Sequence, residues 1–260
     1  MNEWIKLSIE YANKKSYLDD LFDVYPIISG STRSIDETIR NEIKKHFAAK
    51  NDNELIRSLL KLELFPIKDS YIAYLRNDKT AIDRNPQTIK RLCKELYEMG
   101  LDKIFERCSA PKETNRQIGP MFRNWIKKGS LKIKPVKLEK FIENDEDAIL
   151  DASDRGMKDF ARQKLGYNHD KGLDFVGRFN KKYVIGEAKF LTDFGGHQKA
   201  QFNDAIRTIK AEGVKAIKIA ILDGVLFIKN HNEMHKLIIE EYKNENILSV
   251  LLLHKFLNQL

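Results

Sequence analysis

The chain has 260 residues, 42% of them hydrophobic and 32% charged, which is the composition of a folded protein with one large domain or two modest ones. No apolar run approaches the roughly 18 residues of a membrane helix, the start Met1-Asn2-Glu3-Trp4 lacks the apolar stretch of a signal peptide, and Cys93 and Cys108 are too few for a disulfide scaffold. An integral membrane protein and a disulfide-stapled one are thereby excluded, and a cytoplasmic protein is expected.

Residues 1–110 read as a helical N-terminal region. Apolar residues at three- and four-residue spacing predict helices over 2–13, 35–49, 53–63 and 86–99, with Ile89, Leu92, Cys93 and Leu96 forming one stripe. Ser34 and Asp52 are placed as N-caps, and Pro26, Pro66 and Pro86 break or start elements. Both cysteines fit small buried apolar positions. Stripes of this kind are core and say little about function.

The net charge of +8 is unevenly spread. Residues 101–140 hold eleven Lys or Arg against four acids, while 141–160 hold seven acids against two bases. A basic block beside an acidic one suits a polyanion-binding strip next to a cation site. Residues 111–135 form a basic connector expected to contact DNA, turn-rich at first and then a short helix over Met121–Ile126. Asn115, Arg116, Gln117 and Arg123 have the paired donors and acceptors that match base edges.

Residues 136–260 read as a mixed α/β segment. The pattern predicts a helix over 147–165, strands over 173–179 and 182–190, a helix over 197–211, strands over 214–222 and 225–229, and a helix headed by Asn230 and Glu233 at capping-box spacing. Residues 247–253 read as a short strand or a buried helix start. This is an α/β arrangement around a mixed sheet flanked by helices.

Chemistry concentrates in Gly172-Leu173-Asp174-Phe175-Val176 and Val184-Ile185-Gly186-Glu187-Ala188-Lys189. On a strand, Glu187 and Lys189 share a face. With Asn180-Lys181 as a two-residue turn, Asp174 falls opposite Glu187. Two adjacent carboxylates repel, and the usual resolutions are a shared proton or a bound cation. The neighbouring lysine favours a cation, and Mg2+ suits two carboxylates plus a main-chain carbonyl, that of Ala188. Lys189 is then placed to orient or help deprotonate the attacking water.

Asp174, twelve residues, then Glu187-x-Lys189 resembles the PD-(D/E)xK nuclease signature, with Leu173 in the proline position. The string Tyr183–Ala200, and Cys108–Trp125 upstream, resemble type II restriction endonucleases more particularly. The resemblance implies a restriction-endonuclease-like fold, a catalytic core over residues 136–260, and Mg2+-dependent cleavage of double-stranded DNA at a short specific sequence by a homodimer. It makes Asp174 and Glu187 metal ligands and Lys189 the residue serving the water. It also implies a further acid on the preceding helix, for which Asp154 is chosen over Asp151, and a strand ahead of Asp174 that only Leu165–Asn168 can supply. Gly196, His197, Gln198, Lys199, Gln201 and Asn203, at the head of helix 197–211, are the second group expected on DNA. His231 and His235 lack a third zinc ligand, and no nucleotide-binding loop occurs, so no nucleotide cofactor is expected. A repair or junction-resolving nuclease with the same core, and a non-cutting DNA-binding protein, stay open as alternatives.

Overall fold

A computed structural model describes residues 1–14, 16–26, 32–111, 118–229 and 232–260. Chain contacts group the protein into two units, Met1–Ile27 with Thr114–Leu260, and Ile28–Glu113. Met1–Ile27 is thereby grouped with the later part of the chain. Helices α1 (Glu3–Ala12) and α2 (Tyr17–Val24) bury Trp4, Ile5, Tyr17 and Leu21 in the same apolar cluster as the sheet, so they belong with it. The side chain of Asn2 caps α1 by accepting from the Trp4 amide.

The second unit is wholly helical among its described residues: α3 (Glu37–Ala48), α4 (Asp52–Leu60), α5 (Ile72–Asn77), α6 (Ala81–Arg84), α7 (Pro86–Met99) and α8 (Leu101–Cys108). Its core joins Ile43, Leu55, Ile56 and Leu59 to the Ile89, Leu92, Cys93 and Leu96 stripe. The caps fall elsewhere than expected. Asp36, not Ser34, receives the Thr38 and Ile39 amides, and Asn51, not Asp52, receives the Glu54 amide. An N-cap must directly precede the first helical residue, and Asp52 is already inside α4. Cys93 and Cys108 are buried and free, and burial pushes their thiols up to about 12 and about 11.

The sheet unit continues with α9 (Ile118–Lys127), β1 (Pro135–Val136), α10 (Leu138–Glu143), β2 (Ala148–Leu150), α11 (Asp154–Leu165), β3 (Phe175–Phe179), β4 (Lys182–Leu191), α12 (Gly196–Lys210), β5 (Ile217–Gly224), α13 (Glu233–Glu240), β6 (Ile247–Leu248) and α14 (Leu253–Leu257). The six strands lie in sequence order. β2–β3 and β3–β4 are antiparallel, while β1–β2, β4–β5 and β5–β6 are parallel. The sheet is therefore mixed and flanked by helices, as expected.

Three element readings change. The segment 147–165 splits into β2 and α11, because Ser153 caps the helix by accepting the Gly156 amide and stops it from running back into 148–150. β2, not 165–168, is the strand preceding Asp174. Residues 225–227 form a 3₁₀ turn where a strand was expected, after Gly224 at φ +95°, where an added Cβ would lie 2.1 Å from the Leu191 carbonyl oxygen. The last segment combines both readings, as β6 is followed by a 3₁₀ turn and α14. Asn232 caps α13 through the His235 amide, and Asn230 and His231 lie outside the described residues. No described helix is long and apolar enough to cross a membrane.

Candidate active site

The β3–β4 hairpin sets the site. Its turn is Asn180-Lys181, with φ +46° and +62°, the left-handed pair that a tight type I′ hairpin demands. Phe179 opposes Lys182 and Phe175 opposes Gly186, so the register runs as the residue count predicts. Asp174 stands just before β3, its amide donating to the Gly186 carbonyl at 3.0 Å, which sets its side chain beside Glu187.

Strand alternation sorts the faces. Ala188 turns into the main core with Phe175, Val184 and Phe202, while Glu187 and Lys189 occupy the opposite face. Asp174 and Glu187 are buried and Lys189 is partly so. The Lys189 Nζ donates to Asp174 Oδ2 at 3.1 Å and to Glu187 Oε2. The Ala188 amide also donates to Asp174 Oδ2, at 3.0 Å. Burial pushes the Glu187 carboxyl up to about 7 against the pull of the Lys189 ammonium. Burial opposes the charge on Lys189 as well, but Asp174 and Glu187 more than offset this and hold its pKa above the ordinary value. Lys189 is therefore an ammonium at neutral pH.

Asp154 lies at the start of α11, where its Oδ1 is bonded by Arg123 Nη1; the same nitrogen stands 4.0 Å from Asp174 Oδ1. Gly172 permits this approach, since a Cβ there would fall 2.8 Å from the Asp154 Cβ. Asp151 is held by Lys127 at 3.0 Å and Lys137 at 2.8 Å, and hydrogen bonds from those two lysines lower its pKa. Of these two lysines only Lys127 carries a local sequence signal. It follows Arg123 by four residues on α9, one helical turn on, which places both on one side of the helix.

The second expected group divides. Gly196 and His197 are exposed at the start of α12, and Gln201 is half-buried and bonds the His197 ring at 3.0 Å. Lys199 pairs with Glu233 at 2.7 Å. Gln198 does not join them. It is 1% exposed, accepting from the Thr192 amide and donating to the Thr192 hydroxyl, so it fastens the loop to the helix and is removed from the DNA-facing set. Asn203 is half-buried further along α12. Asn115, Arg116 and Gln117 lie outside the described residues. His235 is buried, its Nδ1 2.8 Å from the Leu226 carbonyl oxygen, and serves the fold.

Among the described residues no group of three or more His, Cys, Asp or Glu is placed to hold a metal. The hairpin nonetheless offers a hard-oxygen donor set that fits Mg2+. Among the described residues N–H donors bond Asp174 Oδ2 and Glu187 Oε2, leaving one oxygen of each carboxylate untaken by those donors. The Ala188 carbonyl emerges on the same strand edge as the Ala188 amide that meets Asp174.

A mixed six-stranded sheet flanked by helices makes this an α/β protein, consistent with a restriction-endonuclease-like fold. A family model for the Tsp45I type II restriction enzyme matches residues 2–260. The chain belongs to that family and is a restriction endonuclease, a hydrolase acting on DNA. No curated protein and no solved structure matches it.

Proposed function

We propose that the protein is a type II site-specific deoxyribonuclease of the PD-(D/E)xK kind, hydrolysing phosphodiester bonds of double-stranded DNA at a short sequence with Mg2+. The cluster of Asp174, Glu187 and Lys189 at the end of one hairpin carries this reading. A buried acid–acid–amine group is costly as mere scaffolding, because apolar packing of similar volume stabilises as well or better. Asp174, Glu187 and the Ala188 carbonyl would hold Mg2+, with Asp154 as a further candidate ligand. When bound, Mg2+ supplies charge neutralisation at the phosphoryl oxygens and a water of lowered pKa. Lys189, held protonated, donates to the attacking water to orient it and balances charge developing on the phosphoryl group.

The basic α9 region, with Asn115, Arg116 and Gln117 ahead of it, and the head of α12 at Gly196, His197, Lys199 and Gln201 are the proposed DNA-contacting elements. A duplex target with twofold symmetry suits a homodimer. The enzyme is proposed to work in the cytoplasm without a nucleotide cofactor.

Plasmid DNA incubated with the purified protein and Mg2+ tests the reading. Discrete fragments are expected; structure-dependent nicking would instead support a junction-resolving enzyme, and band shifts without cleavage a binding protein. Glu187→Ala and Lys189→Ala should each abolish cutting while retaining DNA in EDTA. Full activity in both variants overturns the assigned site.

A further inference from the structure

We propose that Arg123 is a phosphate clamp of the active centre, a catalytic residue gripping the phosphodiester under attack, and not a reader of bases. The inference rests on the site proposed above and adds a residue to it. Ile118, Met121, Phe122 and Ile126 are buried and fix the rotation of α9, which leaves Arg123 half-buried at the flank of that stripe. There its Nη1 bonds Asp154 Oδ1 and stands 4.0 Å from Asp174 Oδ1.

A guanidinium carries five N–H donors in a flat fork that matches two phosphate oxygens at once. Only Nη1 is engaged by the described residues, so Nε and Nη2 keep their donors for a ligand. Gly119 brings no side chain to this point, where a Cβ would be in ordinary contact with Asp174 Oδ1 at 3.5 Å and Arg123 Nη1 at 3.9 Å. A cleft of about 600 Å³ is lined by Arg123, Lys127, Lys137 and Arg155 against Asp151 and Asp154, an excess of cations suited to a sugar–phosphate strand.

Position decides between phosphate and base. The phosphate under attack must lie at the carboxylates that hold the metal, and Arg123 is beside one of them. Base edges lie in the grooves, away from the backbone link being cut. In place of the metal-ligand role raised for it above, Asp154 acts through Arg123 as a positioning residue, aiming the guanidinium across the site.

Single-turnover cleavage of plasmid DNA with Mg2+, thermal melting, and duplex retention in EDTA across a salt series test this. Arg123→Ala should slow cleavage by about 10²-fold, give the same fragments as the parent, and make the salt slope of binding shallower by about one. Arg123→Lys, which keeps the charge, should recover part of the rate. Asp154→Asn should slow cleavage on its own but add nothing in the Arg123→Ala background, whereas an independent metal ligand would add a further loss. A parental rate in Arg123→Ala, new or missing fragments, or a lowered melting temperature with no recovery in Arg123→Lys overturns the clamp. Failure here is separable from failure of the site. If Glu187→Ala and Lys189→Ala are dead while Arg123→Ala cuts normally, only the clamp falls; if those two variants cut, the site falls with it.

Discussion

Lys189 joins two buried carboxylates through a single ammonium, and removing that charge leaves Asp174 and Glu187 facing each other in a poorly solvated pocket. Lys189→Met should therefore cost stability on the order of 3 kcal/mol at pH 8 in EDTA, the cost of breaking a buried ion pair from one side. The sign of the pH effect follows. Glu187 is already pushed up to about 7 from its ordinary 4.5, and losing the ammonium raises it further. A carboxyl whose folded pKa exceeds the unfolded one loses stability as pH rises through that window. The deficit of the variant should shrink between pH 8 and pH 5.5, read by thermal melts of variant and parent; an equal deficit at both values would show that the ammonium is not neutralising these acids. The three residues were legible in sequence because a two-residue turn fixes a hairpin's pairing by counting. The Arg123–Asp154 pair was not, since residues 31 apart meet only once α9 and α11 are packed. Nor was the inward turn of Gln198, whose direction depends on the rotation of α12 against the sheet.

Among the elements, the β3–β4 hairpin controls the site geometry, and its turn holds a local strain. Lys181 sits at φ +62°, where a side chain costs about 1 kcal/mol or more and glycine costs little. Asn180 at the first turn position tolerates its own positive φ and donates its amide to Asp147 at 2.7 Å. Lys181→Gly should stabilise the protein by about 0.5 kcal/mol, after the greater chain entropy of glycine when unfolded is set against the relieved strain. Denaturant melts check this, and plasmid cleavage should be unchanged because Lys181 is exposed at the far end of the hairpin. A destabilised variant would show that the Lys181 side chain contributes more than its backbone strain removes. Helices and long strands were readable because each repeats its period several times. β2 was not, as Ala148, Ile149 and Leu150 supply only three buried residues, too few to separate strand from helix before a capped helix begins.

At the scale of the whole sheet unit, the distant ends of the sequence close on one buried acid. Asp223, near the end of β5, accepts hydrogen bonds from the Tyr17 hydroxyl of α2, the Ser249 hydroxyl and the Val250 amide. The Gly224 amide donates to Tyr17 in turn, and the Ser249 amide to the Ser8 hydroxyl of α1. This is the polar counterpart of the apolar packing that draws α1 and α2 onto the sheet, and sequence periodicity gives no sign of it because its members come from four separate segments. Burial pushes the Asp223 carboxyl up to about 7 from 3.8, against the hydrogen bonds of Ser249, Val250 and Tyr17, which favour the charged form. A raised folded pKa means that the native state binds the proton more tightly than the unfolded chain. The associated stability is complete below about pH 4 and is lost as pH rises to about 7. At 1.36 kcal/mol per pKa unit the loss is at most on the order of 4 kcal/mol. Asparagine keeps the shape and one acceptor oxygen but cannot ionise, so Asp223→Asn should flatten this part of the pH–stability curve whatever its cost in absolute stability. Denaturant melts of parent and variant at pH 5 and pH 8 measure it. The parent should lose more stability than the variant over that interval, and parallel curves would place the Asp223 pKa at its ordinary value, with the closing network fully charged at both values.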